Sequence, residues 1–159
     1  AYLVKKTGRD MLLWDGACMV HEIFSLEKIT RLKEKHPNAL LISHPECEAP
    51  ILDISDFVGS TTALLNFSKN NPANEFIVAT ETGILHKMQF NSPNKTFIPA
   101  PPNNSCACND CPHMKLNTLE KIYLCMKYEL PEILMSDELI TKSSIPINRM
   151  LEISAKNGL

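Results

Sequence analysis

ALLISH, residues 39–44, is the stretch that decides the fold: an unbroken apolar run that ends in two polar side chains. An apolar run without alternating polar residues is typical of a strand that is buried on both faces of a parallel sheet. EFIVAT, residues 75–80, repeats the pattern, and helical segments lie before and after each run. Apolar strands alternating with helices predict a small three-layer α/β/α sandwich with a short, mostly parallel sheet.

The remaining elements extend this alternation along the chain. We predict strands at 11–14, 39–44, 56–58, 75–80 and 96–99, helices at 26–36, 51–55 and 63–69, and a helix or turn at 84–89. Ser25 is the expected N-cap of the first of these helices, and Thr61 or Thr62 that of the third. After the last strand we predict C-terminal helices at 116–128 and from about 143 to 154, with a short turn or helix at 135–139 between them.

Polar, proton-active or thiol groups follow every predicted strand. In open parallel sheets, ligands bind beyond the carboxyl ends of the strands, so these groups are expected to share one edge. In chain order they are Cys18 and His21, His44 and Glu46, Ser60 and Thr61, Thr80 and Glu81, and the cysteines after the last strand. This regularity is the strongest functional signal in the sequence.

A cysteine-rich loop, SCACNDCP at residues 105–112, holds three of the six cysteines and precedes a predicted helix. Its spacing matches no common zinc-finger pattern, so a metal bound here needs ligands from elsewhere. Cys18 and Cys111, with a third thiolate that is absent from this chain, would form a three-thiolate iron–sulfur site whose open iron acts as a Lewis acid. Cys106 and Cys108 are alternatively a redox pair, and reduced structural thiols are the simplest interpretation of the loop.

Two further groups have both a chemical and a structural interpretation. His44 and Glu46 flank a proline and are suited to acid–base catalysis, but a surface turn with a solvated glutamate has the same sequence. Ser60 and Thr61 are suited to binding a carboxylate or phosphate, although helix capping is the more frequent role of such a pair. His21 is ambiguous by itself.

Composition limits the function classes. The chain has 159 residues, a formal charge of −2 and 44% hydrophobic residues, which suits a domain with an aliphatic core. This charge gives no electrostatic reason to expect nucleic acid or an anionic membrane as a partner. Cysteines without regular spacing or a secretion signal predict reduced thiols in a cytoplasmic protein. The start, without Met and helical up to a C-cap at Gly8, predicts a piece of a longer protein.

Five ordered motifs also carry a resemblance to a known family. They are WDGACMVHE at 14–22, HPEC at 44–47, DFVGST at 56–61, TETGILH at 80–86 and CPHMKLNTLE at 111–120. With these motifs the chain resembles the C-terminal half of the quinolinate synthase family of NAD biosynthesis, a family of transferases. The cysteine spacing of the loop departs from that of some members.

The resemblance implies three pseudo-repeated α/β/α domains around a 4Fe–4S cluster, with one cysteine ligand from each. Residues 1–20 would end a preceding domain, 21–111 would form a complete one, and 112–159 would be helices that pack on the absent first domain. Cys18 and Cys111 would be two of the cluster ligands.

The reaction implied is condensation of iminoaspartate, from L-aspartate oxidase or aspartate dehydrogenase, with dihydroxyacetone phosphate to give quinolinate, phosphate and water. Glu46 would be the acid–base residue, His21 and His44 would contact substrate, and Ser60 and Thr61 would bind its carboxylate or phosphate. The alternatives are a non-catalytic, cysteine-rich metal-binding module and a thiol redox module.

Overall fold

A computed structural model describes residues 1–103 and 109–158 and divides the chain into two units, 1–116 and 117–159. The proposed redox pair, Cys106 and Cys108, lies outside the described residues.

The first unit is built on a four-stranded, all-parallel sheet. Its strands are β1 (Leu40–Ser43), β2 (Phe57–Val58), β3 (Glu75–Ala79) and β4 (Thr96–Pro99), in the order β2-β1-β3-β4. The apolar runs at 39–44 and 75–80 therefore form the two inner strands. With helices on both faces, the unit confirms the predicted α/β sandwich.

Six α-helices lie among the described residues of this unit, before a short 3₁₀-helix at Met114–Leu116. They are α1 (Tyr2–Thr7), α2 (Met19–Glu22), α3 (Leu26–Lys35), α4 (Ala49–Asp53), α5 (Thr61–Asn70) and α6 (Gly83–Asn91). Ser25 caps α3 as predicted, since its hydroxyl oxygen accepts a hydrogen bond from the amide of Lys28. The cap predicted for α5 is wrong by one residue, because Ser60, and neither of the two following threonines, accepts from the amide of Ala63.

The two faces of β3 support two separate hydrophobic clusters. Ile77 and Ala79 pack with the α3 and α4 side of the sheet, whereas Phe76 and Val78 pack with the α5 and α6 side. All four are almost completely buried. Burial of a large apolar side chain stabilises a fold by about 1.5–3 kcal/mol, so both layers hold the inner strands in place.

The strand predicted at 11–14 is wrong. These residues form no regular element, and Leu12 and Trp14 are almost fully exposed. A strand needs backbone partners as well as apolar side chains, and no described strand pairs with this run.

The second unit contains α7 (Leu119–Tyr128) and α8 (Asp137–Lys156), neither of which has a buried residue. Thr118 caps α7, so this helix begins three residues later than predicted. The predicted break before the last helix is also wrong, because α8 continues through Pro146. No helix among residues 1–103 and 109–158 is both long and hydrophobic enough to cross a membrane.

Candidate active site

The site lies where the strand order changes direction. The chain passes from β1 to the outer strand β2 and then returns to the other side of β1 to form β3. Ligands of open α/β sheets bind at such a reversal, beyond the carboxyl ends of the two strands. Here the amide of His44 donates to the carbonyl of Ala79 over 3.0 Å, which joins the two strand ends at the point where the polar segments begin.

The short helix α2 places His21 in the interior. The amides of His21 and Glu22 both donate to the carbonyl of Cys18, over 2.9 and 3.1 Å, so the turn is tight. His21 is 6% exposed, and its Nε2 lies 3.1 Å from the hydroxyl of Thr80, which directly follows β3. The turn therefore fixes both the partly exposed Cys18 and the buried imidazole relative to the central strands.

Glu46 lies against two histidines. Its Oε2 is 3.1 Å from Nδ1 of His21 and 3.5 Å from Nδ1 of His44, and the two imidazole rings stack with centroids 4.4 Å apart. The Glu46 side chain is 58% exposed, so the carboxylate is open to solvent. Nδ1 of His21 is buried and has no well-aligned hydrogen bond despite its short separation from Glu46. This nitrogen therefore faces the Glu46 carboxylate and is closed to solvent.

The environment of His21 favours its neutral form. Burial lowers the pKa of His21 below its ordinary value, and the neighbouring His44 lowers it further, while Glu46 partly opposes both. A neutral imidazole has one donor and one acceptor nitrogen. A neutral His21 can thus bond to the Thr80 hydroxyl and face Glu46 without adding a positive charge to the site.

Three side chains of types that can bind a metal converge at the same place. Ligand atoms of Cys18, His21 and Glu46 all lie within 4.8 Å of one another. The four cysteines of the described residues are free thiols, so none is consumed by a disulfide. Sulfur, imidazole nitrogen and carboxylate oxygen form a mixed donor set of the kind that holds Zn²⁺ or iron.

Cys111 is held at the same end of the sheet by a residue that follows β3. Its amide donates to Oε1 of Glu81 over 3.4 Å, and Glu81 directly follows Thr80, the partner of His21. Cys111 is partly exposed. The end of β3 therefore contacts both segments that carry the cysteines predicted to bind a cluster.

A cavity of about 1000 Å³ lies beside Cys18 and Glu46, and Lys5 and Asp53 are also among the residues that line it. Lys5 and Asp53 form an ion pair of 3.0 Å on its wall. The cavity has the size of a typical small-molecule site.

A sequence profile of the quinolinate synthetase A protein matches residues 1–152. The chain belongs to this family. Its similar relatives include quinolinate synthases of Synechococcus, with 57% identity over 97% of this chain, and Microcystis aeruginosa, with 58% identity over 96%. The quinolinate synthase of Chloroherpeton thalassium is 55% identical over 96% of the chain. The chain covers 48% of each of these proteins, so it spans about half the length of the curated relatives it matches.

The structure separates the site residues predicted for this family member into two groups. Cys18, His21, His44 and Glu46 come together, whereas Ser60 and Thr61 follow the outer strand β2. The Ser60 oxygen caps α5, and Thr61 is exposed at the first turn of that helix.

Thr80 contacts His21, and the sequence pattern gave Thr80 no role of its own. Its position after a strand was visible, but its pairing with His21, 59 residues away, was not. Cys47, beside Glu46, is buried, and burial raises the pKa of its thiol to about 12, which favours the protonated, unreactive form.

Proposed function

We propose that this chain is the C-terminal half of a cytoplasmic quinolinate synthase of NAD biosynthesis. The whole protein would condense iminoaspartate with dihydroxyacetone phosphate to quinolinate, with loss of phosphate and water. The observation that carries this proposal is the cluster of Glu46, His21 and His44 beside Cys18 at the reversal of the strand order. Family membership supports the same reaction.

Cys18 and Cys111 would hold a 4Fe–4S cluster together with a third cysteine from a first domain. Their chemistry fits this group: both are free thiols, both are partly exposed, and both belong to segments held by the end of β3. When bound, the cluster would supply a Lewis-acidic iron that polarises a substrate oxygen. Because one ligand comes from elsewhere, residues 1–159 alone are expected to be inactive.

The side chains of this chain would then handle protons and orientation. Glu46 is open to the cavity and is the group placed to take and return protons during dehydration and ring closure. His21, whose neutral form is favoured by burial and whose ring is oriented by Thr80, would contact the substrate beside Glu46. His44 is stacked on His21, with its Nδ1 3.5 Å from the same oxygen of Glu46, and would contact the substrate beside them.

Substrate anions would be bound near the start of α5. The hydroxyls of Ser60 and Thr61 follow β2 beside β1, where they can donate to a carboxylate or phosphate. The iminoaspartate would come from L-aspartate oxidase or aspartate dehydrogenase.

The domain arrangement proposed for this half has 1–20 as the end of a preceding domain, 21–111 as one complete repeat and 112–159 as helices that pack on the first domain. The exposed apolar side chains of α7, such as Leu119, Ile122 and Met126, support a covered position in the whole protein.

Glu46→Gln tests the assignment in the full-length protein. The amide keeps the size of the side chain but cannot take up a proton, so product formation should fall by at least about a hundredfold while the visible absorbance of the cluster remains. Glu48→Gln is the matched control, since Glu48 is exposed nearby and makes no side-chain cap bond. Retained turnover in Glu46→Gln would refute the role of Glu46.

A mononuclear metal site is the second candidate. The convergence of Cys18, His21 and Glu46 within 4.8 Å suits one Zn²⁺ ion, as in a non-catalytic metal-binding module. Metal analysis separates the two: iron with broad visible absorbance supports the synthase, and stoichiometric zinc without colour supports the module.

A further inference from the structure

The segment that carries Cys111 is held by the connection between β3 and α6. The hydroxyl of Thr82 donates to Oδ1 of Asp110, and the amide of Cys111 donates to Oε1 of Glu81 over 3.4 Å. Two adjacent residues of one segment thus bond to two adjacent residues of the other. These contacts set the position of the Cys111 backbone relative to the end of the inner strand.

Glu81 uses both of its oxygens in this arrangement. Oε2 accepts from the amide of Gly83 over 2.8 Å, while Oε1 accepts from the amide of Cys111. A carboxylate is the one side-chain end group of this length with two acceptor oxygens, because a glutamine would turn its NH₂ group toward one of the two amides. The geometry therefore requires glutamate rather than any polar residue.

Gly83 leaves room for that carboxylate. A Cβ added to Gly83 would lie 2.7 Å from Oε2 of Glu81, closer than real Cβ contacts. An alanine at this position would displace the flexible carboxylate rather than the backbone of α6. Because Gly83 has no side chain, the carboxylate of Glu81 can contact both amides.

We propose that Glu81 is a positioning residue for Cys111, with Gly83 as the residue that lets its carboxylate reach both amides. The neighbouring Thr80 bonds to His21. The three consecutive residues after β3, 80–82, would thus hold the Cys111 segment in a fixed position relative to the turn that carries Cys18. The inference rests on the proposed function, because the position of Cys111 matters there as a cluster ligand.

The test is cluster retention in the full-length protein, reconstituted with iron and sulfide without oxygen. Iron per chain is measured, followed by the rate at which visible absorbance decays in excess chelator. Glu81→Ala should lose its cluster about fivefold faster than the unmodified protein. One ordinary hydrogen bond changes an equilibrium about fivefold, and a bond that holds the bound state and breaks before release slows release by the same factor. Glu81→Gln should also lose it faster, and Glu34→Ala, at an exposed glutamate of α3, should not.

Gly83→Ala separates positioning from simple loss of stability. The greater helix propensity of alanine offsets about one lost hydrogen bond, so the metal-free form of this variant should unfold at a temperature close to that of the unmodified metal-free protein. Its cluster should nevertheless be lost about as fast as that of Glu81→Ala, because the carboxylate is displaced.

Cys111→Ser distinguishes failure of this inference from failure of the proposed function. If Cys111→Ser loses iron while the Glu81 and Gly83 variants retain it like the unmodified protein, the positioning role is wrong and the ligand role stands. If Cys111→Ser loads and retains iron normally, the ligand role itself is wrong, and the inference fails with it.

Discussion

Thr80→Val removes a single buried hydrogen bond beneath the candidate site. Thr80 is 2% exposed, and its hydroxyl lies 3.1 Å from Nε2 of His21, which is 6% exposed. Valine has the same branched shape, so the packing against the inner strands is retained. The variant therefore changes one interaction, the one that fixes the orientation of the His21 ring.

The expected cost follows from the burial of both partners. A buried polar group that loses its hydrogen-bond partner destabilises a protein by about 1–3 kcal/mol. After the change the His21 ring would keep only its contact with Glu46, whose Oε2 lies 3.1 Å from Nδ1, and its Nε2 would have no partner. For a chain of this size, about 2 kcal/mol corresponds to an unfolding temperature about 4–8 °C lower.

Thermal unfolding followed by circular dichroism measures this effect, with Thr80→Ser as the control that keeps the hydroxyl. A double-mutant cycle with His21→Leu should give a coupling energy of about 1–2 kcal/mol, since Thr80→Val removes nothing further once the imidazole is gone. The reasoning is refuted if Thr80→Val costs the same in both backgrounds.

Two other predictions concern a thiol and the core. Alkylation of Cys47 in the native protein should be about a thousandfold slower than that of a thiol with the ordinary pKa of 9.0, and should rise about tenfold per pH unit, because its pKa is about 12. Quantified peptide labelling checks this, and labelling of Cys47 as fast as exposed Cys125 would contradict it. Leu64→Ala, at a fully buried side chain between α5 and the sheet, should lower the free energy of unfolding by about 2–5 kcal/mol. Urea unfolding measures it against Leu26→Ala, at a partly exposed leucine whose loss should cost much less.

The central part of the fold could be predicted from the sequence because a strand that is buried on both faces has apolar residues at consecutive positions. The runs at 39–44 and 75–80 are mostly apolar, and as β1 and β3 they supply residues to both hydrophobic clusters. The run at 11–14 has a similar composition but no strand, since composition does not specify a backbone partner. Pro146 was equally ambiguous, because the fixed φ of proline suits both the start of a helix and a continued helix that lacks one hydrogen bond.

The candidate site could be predicted as a set of strand-end groups but not as a set of contacts. The parallel sheet implied that His44, Glu46, Thr80 and Glu81 share an edge, since all of them directly follow strands. Which of them touch depends on strand order and on side-chain rotamers, and neither leaves a local pattern. The pairs Thr80–His21 and Glu81–Cys111 therefore became visible only in the structure.

The inner position of β1 and β3 has a consequence for how the molecule opens. Each of these strands has a hydrogen-bonded neighbour on both sides, whereas β2 and β4 have one described neighbour each. Backbone amides of such central strands exchange with solvent last, after the edges have frayed. Local opening of the edge strands would thus leave His21, His44 and Glu46 in the same relative positions.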